Sequence, residues 1–292
     1  MDDVLDEIRQ LRLALTRIAD ALAPRADAEV FDRHRSFRAL SGGGWLVIKG
    51  IASPDPVRFR ELKGIDDILI SLRQNTEQFI QGLPCNNVLL YGPRGTGKSS
   101  AIKALLSEYG RRGLRIIEMP KGSLVHLAEL QEMLSPRKEM YILFCDDLSF
   151  DADDESYISI KTVLEGGLGA RPQNMLIYAT SNRRHLMPER FEDNLPVFSE
   201  GELQPGETLE EKMSLSDRFG LRLGIGHFDK ETYLAIVSNY AQIRGIRLAE
   251  EELQARAMQW SVSHGNFSGR TARQFIDDLD GRLKTDKKRK KK

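Results

Sequence analysis

The sequence predicts an α/β fold in which a parallel sheet carries a phosphate-binding loop and a small all-helical domain follows. Three observations support this. Four short apolar runs, Val88–Tyr91, Leu114–Glu118, Tyr141–Cys145 and Met175–Thr180, alternate with helical segments at about Lys98–Tyr109, Ser123–Leu134 and Tyr157–Glu165. Such alternation of apolar strands and helices implies a parallel sheet covered on both faces. The first run leads directly into Gly92-Pro93-Arg94-Gly95-Thr96-Gly97-Lys98-Ser99, a glycine-rich loop that opens a helix. After His227 the strands stop, and helical stretches follow at about Asp229–Arg244, Ala249–Val262 and Ser268–Leu283.

The remaining elements are read in chain order. Val4, Ile8, Leu11, Leu15, Ile18 and Leu22 recur at spacings of four and three, so residues 1–23 are expected to form a helix with a coiled-coil-like seam, suited to self-association or to docking on its own domain. Pro24 ends it, and 24–49 reads as a linker and short strand, with a glycine joint at Ser41–Gly44 before the apolar run Trp45–Ile48. A helix is expected over about Asp66–Gln81, closed by Gly82. The α/β core is therefore assigned to 50–227, the helical domain to 228–283 and a disordered basic tail to 284–292. The acidic stretches Asp151–Glu155 and Glu200–Glu211 read as solvated loops or partner-facing surfaces.

Composition excludes several classes. The 292 residues carry 43 basic and 43 acidic side chains, and no apolar run approaches the roughly 18 residues of a membrane span. The chain begins Met1-Asp2-Asp3, acidic where a secretory signal is basic, so a cytoplasmic protein is expected. Two cysteines, Cys85 and Cys145, are too few for a disulfide framework or a cysteine metal site, and Cys145 reads as a buried strand residue. The zero net charge hides a tail of +6 at Lys284–Lys292 against −6 elsewhere, which makes a polyanion such as nucleic acid a possible partner of the tail.

The loop Gly92–Ser99 satisfies G-x-x-x-x-G-K-[ST] in the strand–loop–helix context the motif requires. Glycines let consecutive N–H groups converge on phosphates, and the helix N-terminus adds its positive dipole end. In this arrangement Lys98 neutralises the β- and γ-phosphates and Ser99 ligates Mg²⁺, so Gly92 through Ser100 are the expected binding segment. The run Tyr141–Cys145 ends in Asp146-Asp147, where Asp146 is expected to hold Mg²⁺ and Asp147 to polarise the attacking water. The next strand ends in Ser181-Asn182, which places Asn182 between the γ-phosphate and the water.

On these residues, with Glu61–Asp66 and Asn86–Tyr91, the sequence resembles an AAA+ ATPase, and closely resembles an uncharacterised bacterial family of AAA+ ATP-binding proteins over about residues 50–283. The resemblance implies that Gly64 and Ile65 line an adenine pocket. It makes Arg218, in Ser214-Leu215-Ser216-Asp217-Arg218-Phe219-Gly220, the finger that reaches a neighbouring subunit's γ-phosphate, with Arg183 or Arg184 as competitors. It makes Arg270 the residue of the helical lid that touches nucleotide, or Arg273 one turn along. Asp147 departs from the family's usual Glu and is one methylene shorter, which implies slow hydrolysis or a different water position. The segment after Glu118, Met119–Ser123, does not resemble a substrate-threading loop.

Three functions follow as expectations. The first is a Mg-dependent ATPase that forms a homo-oligomer and remodels a macromolecular client. The second is a nucleotide-switched adaptor or loader acting on nucleic acid with little hydrolysis. The third, a P-loop kinase or GTPase, lacks an N/T-K-x-D guanine motif and leaves the helical domain unexplained.

Overall fold

In the computed structural model the described residues are 29–42, 44–150, 154–165, 172–183, 186, 197–199, 202–204 and 215–289. The expected N-terminal helix, Arg184, Ser214 and residues 290–292 lie outside them.

A seven-stranded sheet organises the larger domain, in the order β2-β1-β4-β5-β6-β3-β9. Its strands are β1 (Ser36–Gly42), β2 (Trp45–Gly50), β3 (Val88–Tyr91), β4 (Leu114–Glu118), β5 (Met140–Cys145), β6 (Met175–Ser181) and β9 (Leu221–Gly224). All pairings are parallel except β1–β2, which form an antiparallel hairpin. A separate hairpin pairs β7 (Val197–Ser199) with β8 (Glu202–Gln204), so that β8 lies within the stretch Glu200–Glu211 read as a solvated loop and β7 just before it.

Alternation along the central strand builds two cores. Tyr141, Leu143 and Cys145 face one side of β5, with Leu124, Leu130, Phe150 and Ile160. Ile142 and Phe144 face the other, with Leu72 and Phe79 of α2 (Asp66–Ile80) and Ala101, Ile102 and Leu105 of α3 (Lys98–Tyr109). The first core is closed by α1 (Val30–Arg33), α4 (Leu127–Leu134), α5 (Glu155–Glu165) and a 3-10 turn over Lys121–His126. This is a mostly parallel α/β sheet with both faces buried, a glycine-rich loop after β3 and a helical domain after the sheet.

Two segments differ from expectation. The short strand expected at Trp45–Ile48 is β2, but the segment before it holds a further strand: β1 joins β4 in parallel register and pairs with β2, so the sheet begins before residue 50. Phe37 and Ala39 are buried while Arg38 is exposed, and that alternation, in the strand next to the edge, carries no long apolar run to signal a strand. For the same reason Leu221-Arg222-Leu223-Gly224, which forms β9 beside β3, escapes detection.

The helical domain packs α6 (Lys230–Arg244), α7 (Glu250–His264) and α8 (Gly269–Arg289) around Tyr233, Ile236, Val237, Leu253, Ala257, Phe275, Ile276 and Leu279. Asp229 caps α6 by accepting the Thr232 N–H at 2.8 Å, and Gly245, at φ 66°, ends it. The tail is shorter than expected, because α8 continues to Arg289. Ion pairs one turn apart, Arg282–Asp278 and Lys284–Asp280, support this extension of helix-forming residues.

Candidate functional site

The phosphate loop joins the C-terminal end of β3 to α3, at the edge of the sheet where parallel strands deliver their ligand-binding groups. Gly95 and Gly97 sit at φ 79° and 97°, conformations that cost glycine little and other residues more. A Cβ on Gly95 would lie 2.9 Å from Ser268 Oγ at the start of α8, so the loop accepts only glycine where the lid rests on it. The Arg270 N–H donates to the Gly95 carbonyl at 3.3 Å, and Asn239 Nδ2 donates to the Arg60 carbonyl at 3.0 Å. The helical domain is thereby held against the core at two places.

Between them lies a cavity of about 650 Å³. Its floor is the phosphate loop from Arg94 to Ser100, with Asp146, Asp147, Thr180 and Asn182. Leu62, Ile65, Phe228 and Ile236 form an apolar end beside Tyr240, and Arg270 and Arg273 enter together from α8. Six basic residues against four carboxylates leave the lining net positive, the sign a polyphosphate requires.

The polar groups on the floor form one connected network. Lys98 Nζ donates to the carbonyls of Gly92 and Pro93, each at 2.7 Å, and to Asn182 Oδ1 at 3.1 Å. Asn182 Nδ2 in turn donates to Asp147 Oδ1. Ser99 Oγ and Thr180 Oγ1 both donate to Asp146 Oδ1 at 2.6 Å, and the Asp147 N–H donates to Thr180 Oγ1 at 2.9 Å. Burial lowers the Lys98 pKa from its ordinary value. The Asp147 and Asp146 charges oppose that shift, and Arg270 and Arg94 add to it. Asp147 is the one non-glycine residue at positive φ, 52°, among the described residues, a mild strain of the sort found at functional positions.

These residues fit a nucleotide triphosphate with its magnesium ion. The glycine cradle, the buried ammonium and the paired oxygens of Ser99 and Asp146 are the donor set that such a ligand uses. No group of three or more His, Cys, Asp or Glu able to hold a metal occurs among the described residues. A metal here would therefore rely on phosphate and water oxygens beside the protein's few.

Most of the residues expected from sequence meet here: Ile65, Arg94 through Ser100, Asp146, Asp147, Asn182 and Arg270 all line the cavity. Gly92 and Pro93 do not line it and act through their carbonyls on Lys98. Gly64 does not line it either. It sits at φ 79°, and the Thr232 methyl occupies the space a Cβ would need, so the glycine lets α6 approach. Arg218 lies away from the cavity, ion-paired to Glu165 of its own chain, and Arg183 is likewise not among the lining residues. Arg270 and Arg273 line the cavity together, so neither replaces the other.

Thr180 went unrecognised, although it ties Asp146 to the backbone of Asp147. The one available signal was its place two residues before Asn182 at the end of an apolar run. Tyr240 and Phe228, contributed by the helical domain and its approach, carried no signal in sequence spacing.

No curated protein matches the sequence. Solved structures of Thermotoga maritima RuvB are similar in fold. One, described as a Holliday junction branch migration motor, is 15% identical over 77% of this chain and 72% of that chain, with a TM-score of 0.45. Two substituted forms give TM-scores of 0.46 and 0.45 at the same identity, covering 77% of this chain and 72% and 73% of theirs. At that identity the likeness says nothing of activity. A family model described as a protein of unknown function matches residues 33–283, and the chain accordingly belongs to that family, DUF815.

Proposed function

We propose that the protein is a Mg-dependent ATPase that assembles with copies of itself and couples nucleotide turnover to the remodelling of a macromolecular partner. The observation that carries this reading is the network joining Lys98, Ser99, Asp146, Asp147 and Asn182 on the floor of one cavity under the helical lid. Lys98 binds the β- and γ-phosphate oxygens, exchanging its loop carbonyls for a stronger, charge-assisted partner. Ser99 and Asp146 hold the magnesium ion, which when bound neutralises charge on the phosphates. Asp147 accepts the proton of the attacking water, and Asn182, already bonded to Asp147, orients that water toward the phosphate. The apolar end at Ile65 and Phe228 takes the base. Arg218, which does not line its own cavity, acts on a neighbour's, a contribution worth about 10³–10⁵ in rate in related P-loop systems.

The test is phosphate release per protomer across a hundredfold range of protein concentration, with ATP binding measured alongside. A specific rate rising steeply with concentration, abolished by Lys98→Ala and reduced at least tenfold by Arg218→Ala with ATP binding retained, is the expected result. A protein that fails to bind ATP, or whose binding survives Lys98→Ala unchanged, sinks the reading.

A second reading, a nucleotide-gated adaptor with little turnover, is favoured by one observation. Asp147 is short, sits at φ 52° and is held by Asn182, which suits a site that binds more readily than it reacts. Tight ATP binding with a low rate independent of concentration selects it.

A further inference from the structure

Away from the nucleotide cavity, four arginines gather at one turn. Gly110–Arg112 forms a 3-10 turn between α3 and β4, bringing Arg111 and Arg112 side by side. Arg115 Nη1 reaches back to the carbonyls of Gly110 and Leu114, at 3.3 and 3.2 Å. Arg35 Cδ lies 3.6 Å from where a Cβ on Gly110 would stand, and its carbonyl accepts the Ile116 N–H at 3.1 Å. The Arg112 guanidinium covers the Tyr109 ring at 5.3 Å. Arg35 and Arg115 stand at the entrances of β1 and β4, which run parallel to β3. The cluster therefore lies at the edge of the sheet opposite the one where β3 delivers the phosphate loop.

Two further facts single these arginines out. Those around them are neutralised: Arg33 pairs with Glu29, Arg38 with Glu118, Arg73 with Glu108 and Arg137 with Asp32. None of the four in the cluster forms an ion pair among the described residues, so the local carboxylates are already committed elsewhere. Moreover, Arg115 Nε is buried and has no hydrogen-bond acceptor. A charged donor buried without an acceptor is costly and rare in folded proteins. Sealed from solvent, that atom takes no external ligand, but the four like charges around the turn repel one another, and an anion placed among their exposed guanidinium groups relieves that repulsion.

The chemistry of that anion follows from the residue type. Guanidinium forks match phosphate oxygens two at a time, whereas a lysine offers a point charge, and this cluster is all arginine. The interface core of a protein partner would call for apolar surface. Among the described residues the large exposed apolar side chains are Ile70, Leu83, Val125, Ile158, Ile243 and Val262, and none of them belongs to the turn at Gly110–Arg112 or the segments that flank it. We propose that Arg35, Arg111, Arg112 and Arg115 form a binding surface for the phosphodiester backbone of a nucleic acid, separate from the nucleotide cavity and from the basic end of α8.

The proposal stands apart from nucleotide turnover and is tested without it. Binding of a fluorescent 30-base-pair DNA duplex is measured by anisotropy from 50 to 200 mM salt for the intact chain, for R111E/R112E, for Arg35→Ala and for a chain lacking residues 284–292. Melting temperature and ATP affinity serve as fold controls. Wild-type binding should weaken linearly on a log–log salt plot. Each phosphate that is no longer neutralised should flatten the slope by about 0.9, so R111E/R112E should lose about two units of slope and at least tenfold in affinity with ATP affinity unchanged. Arg35→Ala, a milder exposed change, should show a smaller loss in the same direction. The idea fails if the intact chain does not bind the duplex or if R111E/R112E binds it with unaltered slope. Loss of binding only with the 284–292 deletion also overturns it. Displacement of the duplex by polyglutamate at equal charge would overturn the assignment to phosphate.

Discussion

At the scale of single residues, one hydroxyl sets the geometry of the acidic pair. Thr180, 1% exposed, donates to Asp146 Oδ1 and accepts the Asp147 N–H, so it fixes the carboxylate that faces Ser99 and the strained backbone that follows. Thr180→Val keeps the shape and removes the hydroxyl, leaving the Asp147 N–H without that partner, a loss of about 1–3 kcal/mol. The expected outcome is a higher magnesium concentration for half-maximal ATP binding and turnover lowered by about tenfold or more, both restored by Thr180→Ser. Equal losses in Val and Ser, or none in either, would remove the positioning role.

Lys98 supplies a second test. Because burial lowers its pKa, it sheds its proton at a lower pH than a free lysine, and in the proposed function ATP binding restores that proton. ATP affinity should therefore fall as pH rises through the lowered pKa, with proton uptake on binding that grows over the same range. Between the lowered pKa and that of a free lysine the unfolded chain holds more protons, so the same shift makes folding stability rise with pH there. Calorimetry in buffers of different ionisation enthalpy reads the uptake, and no uptake at alkaline pH would contradict the shift. Of these two residues, Lys98 is legible because its neighbours in sequence are its neighbours in space. Thr180 is not, because its partners come from another strand.

At the scale of elements, the central strands and their helices are legible because a strand covered on both faces is largely apolar along its length. The structure accordingly returns β3, α3 and β4 with the bounds read from sequence. β5 is the middle strand of seven, and Leu143, fully buried, packs into one core while its neighbours fill the other. Leu143→Ala should cost about 2–5 kcal/mol in chemical denaturation with the denaturant slope unchanged. A loss below about 1 kcal/mol would mean that the strand is less tightly enclosed than it stands here. Strands toward the sides of the sheet behave differently. β9 at one edge and β1, next to the other, show half-apolar patterns that sequence alone does not separate from loop, and their assignment rests on the neighbours they pair with.

At the scale of the whole molecule, the site is assembled from two domains. The core supplies the phosphate loop and the acidic strand. The helical domain supplies Arg270, Arg273 and Tyr240, and its docking against Gly95 and Arg60 closes the cavity. Arg218 belongs to this scale as well: it is ion-paired to Glu165 and does not line its own cavity, and its proposed action on a neighbouring subunit is what the concentration series above tests. The sequence was sufficient for the phosphate loop, the acidic pair, the buried strands and the order of the two domains, because each depends on residues adjacent in the chain or on a local period. It was silent on the hairpin at the sheet edge, the Thr180 clamp, the joint entry of Arg270 and Arg273, and the unpaired arginine cluster. Each of these depends on distances between segments far apart in sequence, and such distances exist only once the sheet has ordered its strands and the helices have packed upon it.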